Sequence, residues 1–170
     1  MDSEMTRVLA DLTTGIYVLT VSDGGRHHGM SSSWVTQVSG VPALLMAAID
    51  NRHHSKQIVS RTGCFGLNIV GVRGKALEDY FLSAAAGNPD NLAELDYDLS
   101  PSLGVPWLKL ATASIEARVE HSHEAGDHTL FVAQAVGVRI NDRDRPLTSL
   151  DLDYVYLGGK QVVPRDRSGW

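Results

Sequence analysis

Two long β-rich stretches, Ala111 to His121 and Thr129 to Ile140, are separated only by the turn-forming segment Glu124-Ala125-Gly126-Asp127-His128. In the first, Ala113, Ile115, Ala117 and Val119 alternate with Ser114, Glu116, Arg118 and Glu120, the period-two pattern of a strand with one apolar and one polar face. So short a connection joins antiparallel neighbours, because a parallel crossover needs a dozen residues or more. The rest of the fold must therefore be assembled around a long hairpin.

Other segments extend the same architecture. Thr14-Gly15 opens the strand Ile16 to Ser22, which ends at Asp23-Gly24-Gly25, a hairpin signal; a second strand runs from about Arg26 to Met30. After Val41-Pro42, the run Ala43 to Ile49 is apolar at nearly every position, as expected of a strand buried on both faces or at a subunit interface. Cys64 to Val70 and Asp153 to Leu157 read as strands. Short helices are expected at Glu4 to Leu12, at Ser55 to Thr62 with Gly63 as its stop, and at Lys75 to Ala86, where Leu77, Tyr80, Phe81 and Ala84 share a face before Gly87-Asn88-Pro89. Asn91 to Trp107 carries Asp, Pro, Ser and Gly and reads as loop. The expectation is six or seven antiparallel strands with short helices, better suited to a small closed or partly open β-barrel than to a doubly wound sheet. No G-x-G-x-x-G follows a strand, so the Rossmann fingerprint is missing.

At 170 residues the chain is read as one domain over 1–170. Its formal charge of -5 and lack of any Lys/Arg stripe argue against nucleic acid as a partner. The single cysteine, Cys64, excludes an internal disulfide, and beside Phe65 it reads as a small packing residue. The acidic start Met1-Asp2-Ser3-Glu4-Met5 is unlike a signal peptide, and no apolar run has the ~18 residues of a membrane helix, so a cytoplasmic protein without membrane contact is expected.

Three segments are candidates for chemistry. Ser31-Ser32-Ser33 follows a glycine and offers hydroxyls and amides in series to a ligand rich in carbonyl and hydroxyl groups; a polar loop between strands has the same composition. Asp50-Asn51-Arg52-His53-His54-Ser55-Lys56 leads from a buried strand into a helix, placing Ser55, Arg52 and Lys56 at a helix N-terminus suited to phosphate; ordinary capping by Asn51 or Ser55 is the competing reading. Gly126-Asp127-His128-Thr129 sets a histidine at a strand start, where Asp127 or a backbone carbonyl can fix its tautomer. His121, His123 and His128 are the best metal candidates, yet metal sites need convergent ligands with further support, and no metal is assigned. His27-His28 and His53-His54 are adjacent pairs whose members point apart in an extended chain. No nucleophile-elbow pattern points to a hydrolase.

Taken in order, Thr14-Gly15, Gly29-Met30-Ser31-Ser32-Ser33 with Val38-Ser39 and Pro42, Phe65-Gly66-Leu67-Asn68-Ile69-Val70, Gly104-Val105-Pro106-Trp107-Leu108, Gly126-Asp127-His128-Thr129-Leu130 and Pro146-Leu147 resemble the flavin reductase-like family of FMN-binding split barrels. The match runs from about Thr14 to Leu157. It implies a mainly β fold, a six-stranded antiparallel Greek-key split β-barrel with a few short helices, homodimeric, with FMN near the subunit interface. By position, Met30, Ser31, Ser32, Ser33 and Trp34 would line the flavin ring, with Thr36 and Ser39 deeper. Asn51, Arg52, Ser55 and Lys56 would hold the ribityl chain and phosphate. His128 would face the nicotinamide, and Phe81 and Tyr154 would lie near the ring. The chain departs from the family's frequent features at Val41, at Ala133-Gln134 where a Gly-Glu pair is common, and at Ala117 where cysteine is common.

The activity this resemblance implies is hydride transfer from NAD(P)H to flavin, with a monooxygenase or another electron acceptor downstream. A flavoredoxin-like electron-transfer protein that holds FMN without using NAD(P)H is the alternative. A barrel adapted to another ligand such as haem is a third, since fold alone does not fix function.

Overall fold

The structure, a computed structural model, describes residues 3–83, 88–158 and 162–165. A short helix α1 (Ser3–Ala10) precedes β1 (Tyr17–Asp23), β2 (Arg26–Ser32), β3 (Val35–Ser39) and β4 (Leu44–Asp50). Helix α2 (His54–Thr62), β5 (Cys64–Ile69) and helix α3 (Lys75–Leu82) follow, then β6 (Tyr97–Leu99), β7 (Pro106–Leu108), the long β8 (Ala113–Ala125) and β9 (His128–Ile140), and finally β10 (Tyr154–Tyr156) and β11 (Val162–Pro164). The expected helical residues Ala84 to Ala86 and the expected stop at Gly87 lie outside the described residues.

The main sheet has seven strands in the order β2-β1-β5-β8-β9-β4-β3, every neighbouring pair antiparallel, one more than the six implied by resemblance. The hairpins fall where the turn residues demanded. Asp23 pairs with Arg26 across Gly24 and Gly25, both at positive φ, and Ala125 pairs with His128 across Gly126-Asp127. Register shifts near Glu116/Ala117 and Val119/His121 increase the local twist. The sheet curls: Leu19 and Val21 of β1, Phe65 of β5, Phe131 of β9, and Ala47 and Ile49 of β4 all meet in one core, closed at one side by Ile58 and Val59 of α2. Helix α2 ends as read from sequence, with Gly63 at φ 68 donating to the Val59 carbonyl.

A second core, on the opposite face of β1, joins Val18 to Leu77 and Phe81 of α3 and to Leu92, Leu108 and Leu152. The segment read as loop from Asn91 to Trp107 does more than connect. It forms the β6–β7 pair, and on the polar face of β8 Ser114 and Glu116 are buried while Arg118 and Glu120 are exposed. Asn68 is its anchor, accepting from the Leu108 amide and the Ser114 hydroxyl and donating to the Val18 carbonyl. Glu116, 1% exposed, accepts the Ser102 and Leu103 amides. Burial works to raise its pKa, but hydrogen bonds from Ser100, Leu103 and Ser102 outweigh that and hold the carboxyl below its ordinary range.

The free edge of β2 is also covered. Asn91 donates to the Gly29 carbonyl and accepts the Gly29 amide, replacing a strand partner, while Asp90 accepts the His27 amide. A Cβ on Gly29 would lie 2.8 Å from the Phe81 ring, so glycine is required where α3 crosses β2. No described helix is long and apolar enough to cross a membrane.

Candidate functional site

A cleft of about 1100 Å³ opens between the ends of β2 and β4, helix α3, the start of β9 and strand β10. The apolar run of β4 explains one wall. Leu45, Ala47 and Ile49 face the core, while Met46 and Ala48 line the cleft, so both faces are used within one chain. Chain direction changes at Ser33-Trp34, between β2 and β3, and this turns the Trp34 ring into the cleft.

Of the residues read from sequence, Met30, Ser31, Ser32, Ser33, Trp34, Arg52, Phe81, His128 and Tyr154 line this cleft. Thr36, Asn51, Ser55 and Lys56 are not on its wall. Thr36 is exposed on β3 opposite Met46, on the same face of the sheet as Trp34 but beyond the cleft lining. Asn51 binds the hairpin turn instead, accepting from the Thr129 hydroxyl at 2.7 Å. Ser55 is fully buried with an unpartnered Oγ. The cap of α2 is neither Asn51 nor Ser55: His53 Nδ1 accepts the Ser55 amide. Arg52 is paired with Asp50 through Nη2 at 3.0 Å and Nε at 3.2 Å, so its charge is already engaged. Hydrogen bonding from Arg52 holds the Asp50 carboxyl down at about 2.

His128, 3% exposed, sits between two partners. Asp127 Oδ1 lies 2.6 Å from Nδ1, and the Tyr156 hydroxyl 3.3 Å from Nε2. A carboxylate accepts only, so Nδ1 carries a proton toward Asp127 while Nε2 faces the Tyr156 hydroxyl. Trp34 packs against this ring at 4.6 Å between centroids and against Tyr156 at 5.3 Å, making an aromatic wall. A side chain at Gly158 would meet the Trp34 ring at 3.2 Å, so glycine lets the chain after β10 close over it.

In the same cleft, the Glu78 carboxylate accepts the Ser31 hydroxyl at Oε2 and the Tyr154 hydroxyl at Oε1, the latter at 2.7 Å. Burial, reinforced by Glu78, pushes the Tyr154 phenol well above its ordinary value, so it stays protonated.

The two histidine pairs, poor chelators individually, contribute jointly to a cluster in which the His28 ring lies 5.7 Å from that of His53 and 5.1 Å from that of His54. His28 Nδ1 lies 3.0 Å from the Asn88 carbonyl, and burial and the neighbouring histidines lower its pKa to about 4. His121 and His123 remain exposed on β8 while His128 is buried, and among the described residues no group of three or more His, Cys, Asp or Glu is placed to hold a metal.

Glu78, Tyr156, Asp50 and His28 were not read as site residues. The signal for Tyr156 was present, since it stands two residues from Tyr154 on a strand and shares its face. Glu78 precedes Phe81 by three on a helix, which places the two on one side.

A curled antiparallel sheet with an aromatic and hydroxyl-lined cleft at its strand ends defines a small-ligand β-domain. The flavin reductase like domain model matches residues 9–158, and the chain belongs to that family. Among its relatives is the NADH-dependent FMN reductase AsuE2 of Streptomyces nodosus subsp. asukaensis, 27% identical over 132 residues, 78% of this chain and 71% of that protein. The reductase subunit HsaB of a flavin-dependent monooxygenase from Rhodococcus jostii (strain RHA1) is 27% identical over 159 residues, covering 92% of this chain and 78% of its own. The styrene monooxygenase flavin reductase of Pseudomonas putida S12 superposes with a TM-score of 0.73 at 26% identity, covering 86% of this chain and 91% of that one.

Proposed function

We propose that this chain is an NAD(P)H-dependent flavin reductase that takes FMN into the cleft and serves a monooxygenase or another electron acceptor. The observation that carries the reading is the wall formed by Trp34, Tyr156 and the Asp127-held His128, lining one cleft together with Ser31–Ser33 in a member of this family. A volume of about 1100 Å³ is at the upper end of ordinary ligand sites and has room for two ring systems together.

Flavin, when bound, supplies the hydride acceptance. The chain's own contribution is orientation and exclusion of water. Trp34 and Tyr156 supply flat apolar surface, Met30, Met46 and Phe81 close the cleft, and Asp127 fixes the proton of His128 on Nδ1. Of the segment at the start of α2, Arg52 is the residue on the cleft wall and the one placed to meet a phosphate, whereas Ser55 is fully buried and Asn51, Lys56 and Thr36 lie off that wall. The names of the relatives favour NADH as donor and admit FAD beside FMN as the flavin.

The same reading takes residues 1–170 as one cytoplasmic flavin reductase-like domain, its curled sheet as a Greek-key split barrel, and its working form as a homodimer. Exposed Val38, Val41, Val138 and Ile140 support a second copy covering the sheet. The deciding experiment is the absorption spectrum of the protein with FMN, followed by anaerobic addition of NADH or NADPH. Bleaching at about 450 nm is expected. Bleaching by dithionite but by neither nucleotide would replace the reductase with an electron-transfer flavoprotein.

A further inference from the structure

The hydroxyls of Ser31 and Tyr154 both line the cleft and both donate to one buried carboxylate, Glu78, which is 3% exposed. Each hydroxyl has a single proton, so neither has one left for a ligand. What remains toward the cleft is oxygen lone pairs. Seen only as a sequence, this wall would pass for a set of donors, and Glu78 reverses its polarity.

We propose that Glu78 is a positioning residue that turns Ser31 and Tyr154 into acceptors, so that this side of the cleft recognises a heteroaromatic ring N–H or a carboxamide N–H of the bound ligand. The inference rests on the flavin reductase reading and deepens it, because both sources of such a donor belong to its reactants. The isoalloxazine ring has an imide N–H, and nicotinamide has a carboxamide. Three parts of the chain converge to build the arrangement: Ser31 from β2, Glu78 from α3 and Tyr154 from β10. The raised pKa of the Tyr154 phenol keeps the proton on its own oxygen, from which it is donated to Glu78. An oxidised flavin that loses its imide N–H, or a nucleotide that loses its amide, leaves two desolvated acceptors unmatched.

The test is fluorescence titration of flavin-free protein with FMN, N3-methyl-FMN and NADH, for wild type and Glu78→Gln. A glutamine amide donates where the carboxylate accepted, so one of the two hydroxyls is turned round. If the flavin supplies the donor, the variant weakens FMN roughly three- to tenfold while N3-methyl-FMN binds both proteins alike. If nicotinamide supplies it, NADH weakens by that factor and FMN does not. Unchanged affinity for both FMN and NADH in a folded variant overturns the inference, as does equal weakening of FMN and N3-methyl-FMN with no effect on NADH. Should Glu78→Gln fail to fold, Tyr154→Phe removes one acceptor and leaves the carboxylate in place, and the same two patterns decide. A wild-type protein that binds no flavin at all overturns the function on which this rests, a result separate from any comparison of variants.

Discussion

Asp127 Oδ1 lies 2.6 Å from His128 Nδ1, although the two residues are adjacent in the chain. In an extended strand neighbouring side chains point to opposite faces. Here Asp127 still belongs to the tight turn while His128 opens β9, and the change of backbone direction lets the two meet.

Asp127→Asn keeps the size of the side chain but lets it donate as well as accept, freeing the imidazole to change tautomer. Charge-assisted hydrogen bonds contribute about 1.5–3 kcal/mol, so hydride transfer from NADH should slow roughly 10- to 100-fold. Anaerobic stopped-flow at about 450 nm reads that rate. An effect below twofold would show that the carboxylate does not orient His128.

Trp34→Ala removes the ring that packs on both His128 and Tyr156. The affinity for FMN should fall at least ~10-fold, and Trp34→Phe should restore most of it. Equilibrium titration checks both. Equal affinities for all three proteins would place the flavin elsewhere.

The cluster around His28 gives the fold a pH dependence. Its pKa is lowered to about 4 by burial and by His53 and His54, with Asp90 acting in the opposite direction. Between about 6.5 and 4 the unfolded chain takes up a proton that the folded chain refuses, so this residue's contribution is complete above 6.5 and is lost as pH falls. The loss should be on the order of 1–3 kcal/mol. Urea melts across that range should be flatter for His28→Gln than for wild type, and parallel profiles would refute the assignment.

Gly29→Ala places a methyl group 2.8 Å from the Phe81 ring and 3.1 Å from Leu92, both in a packed core. Overpacking of this kind costs about 1–3 kcal/mol. Thermal unfolding should show it as a fall of several degrees, and an unchanged melting temperature would mean that α3 slides freely on β2.

The hairpins were legible because their signals are local. Asp23-Gly24-Gly25 supplies the positive φ angles of a two-residue turn, and the alternation through Ala113–Val119 sets a strand whatever the rest of the chain does. The burial of Ser114 and Glu116 on the polar face of that strand was not legible. Nothing near Glu116 in sequence announces that residues 100–105 fold over it and supply amides. The cleft shows the same division. Ser31–Ser33, Trp34 and His128, read from sequence with help from resemblance, line the cleft, and each stands in a recognisable turn or strand start. Glu78 was missed because a glutamate on a short helix usually faces water, and only tertiary packing brings Ser31 and Tyr154 to it. For the segment read as a phosphate site, sequence marked the helix start but could not show that Asp50 already pairs with Arg52, or that His53 takes the cap.

The clasp of Tyr154 on Glu78 has a consequence for the order of assembly. The β8–β9 hairpin makes contacts between near neighbours in sequence and can form early, whereas Tyr154 must find a partner 76 residues away. One wall of the cleft therefore does not exist until residues 154–156 have docked. A chain stalled or clipped before them would retain its sheet and its first core, yet offer a ligand an open trough rather than a binding site.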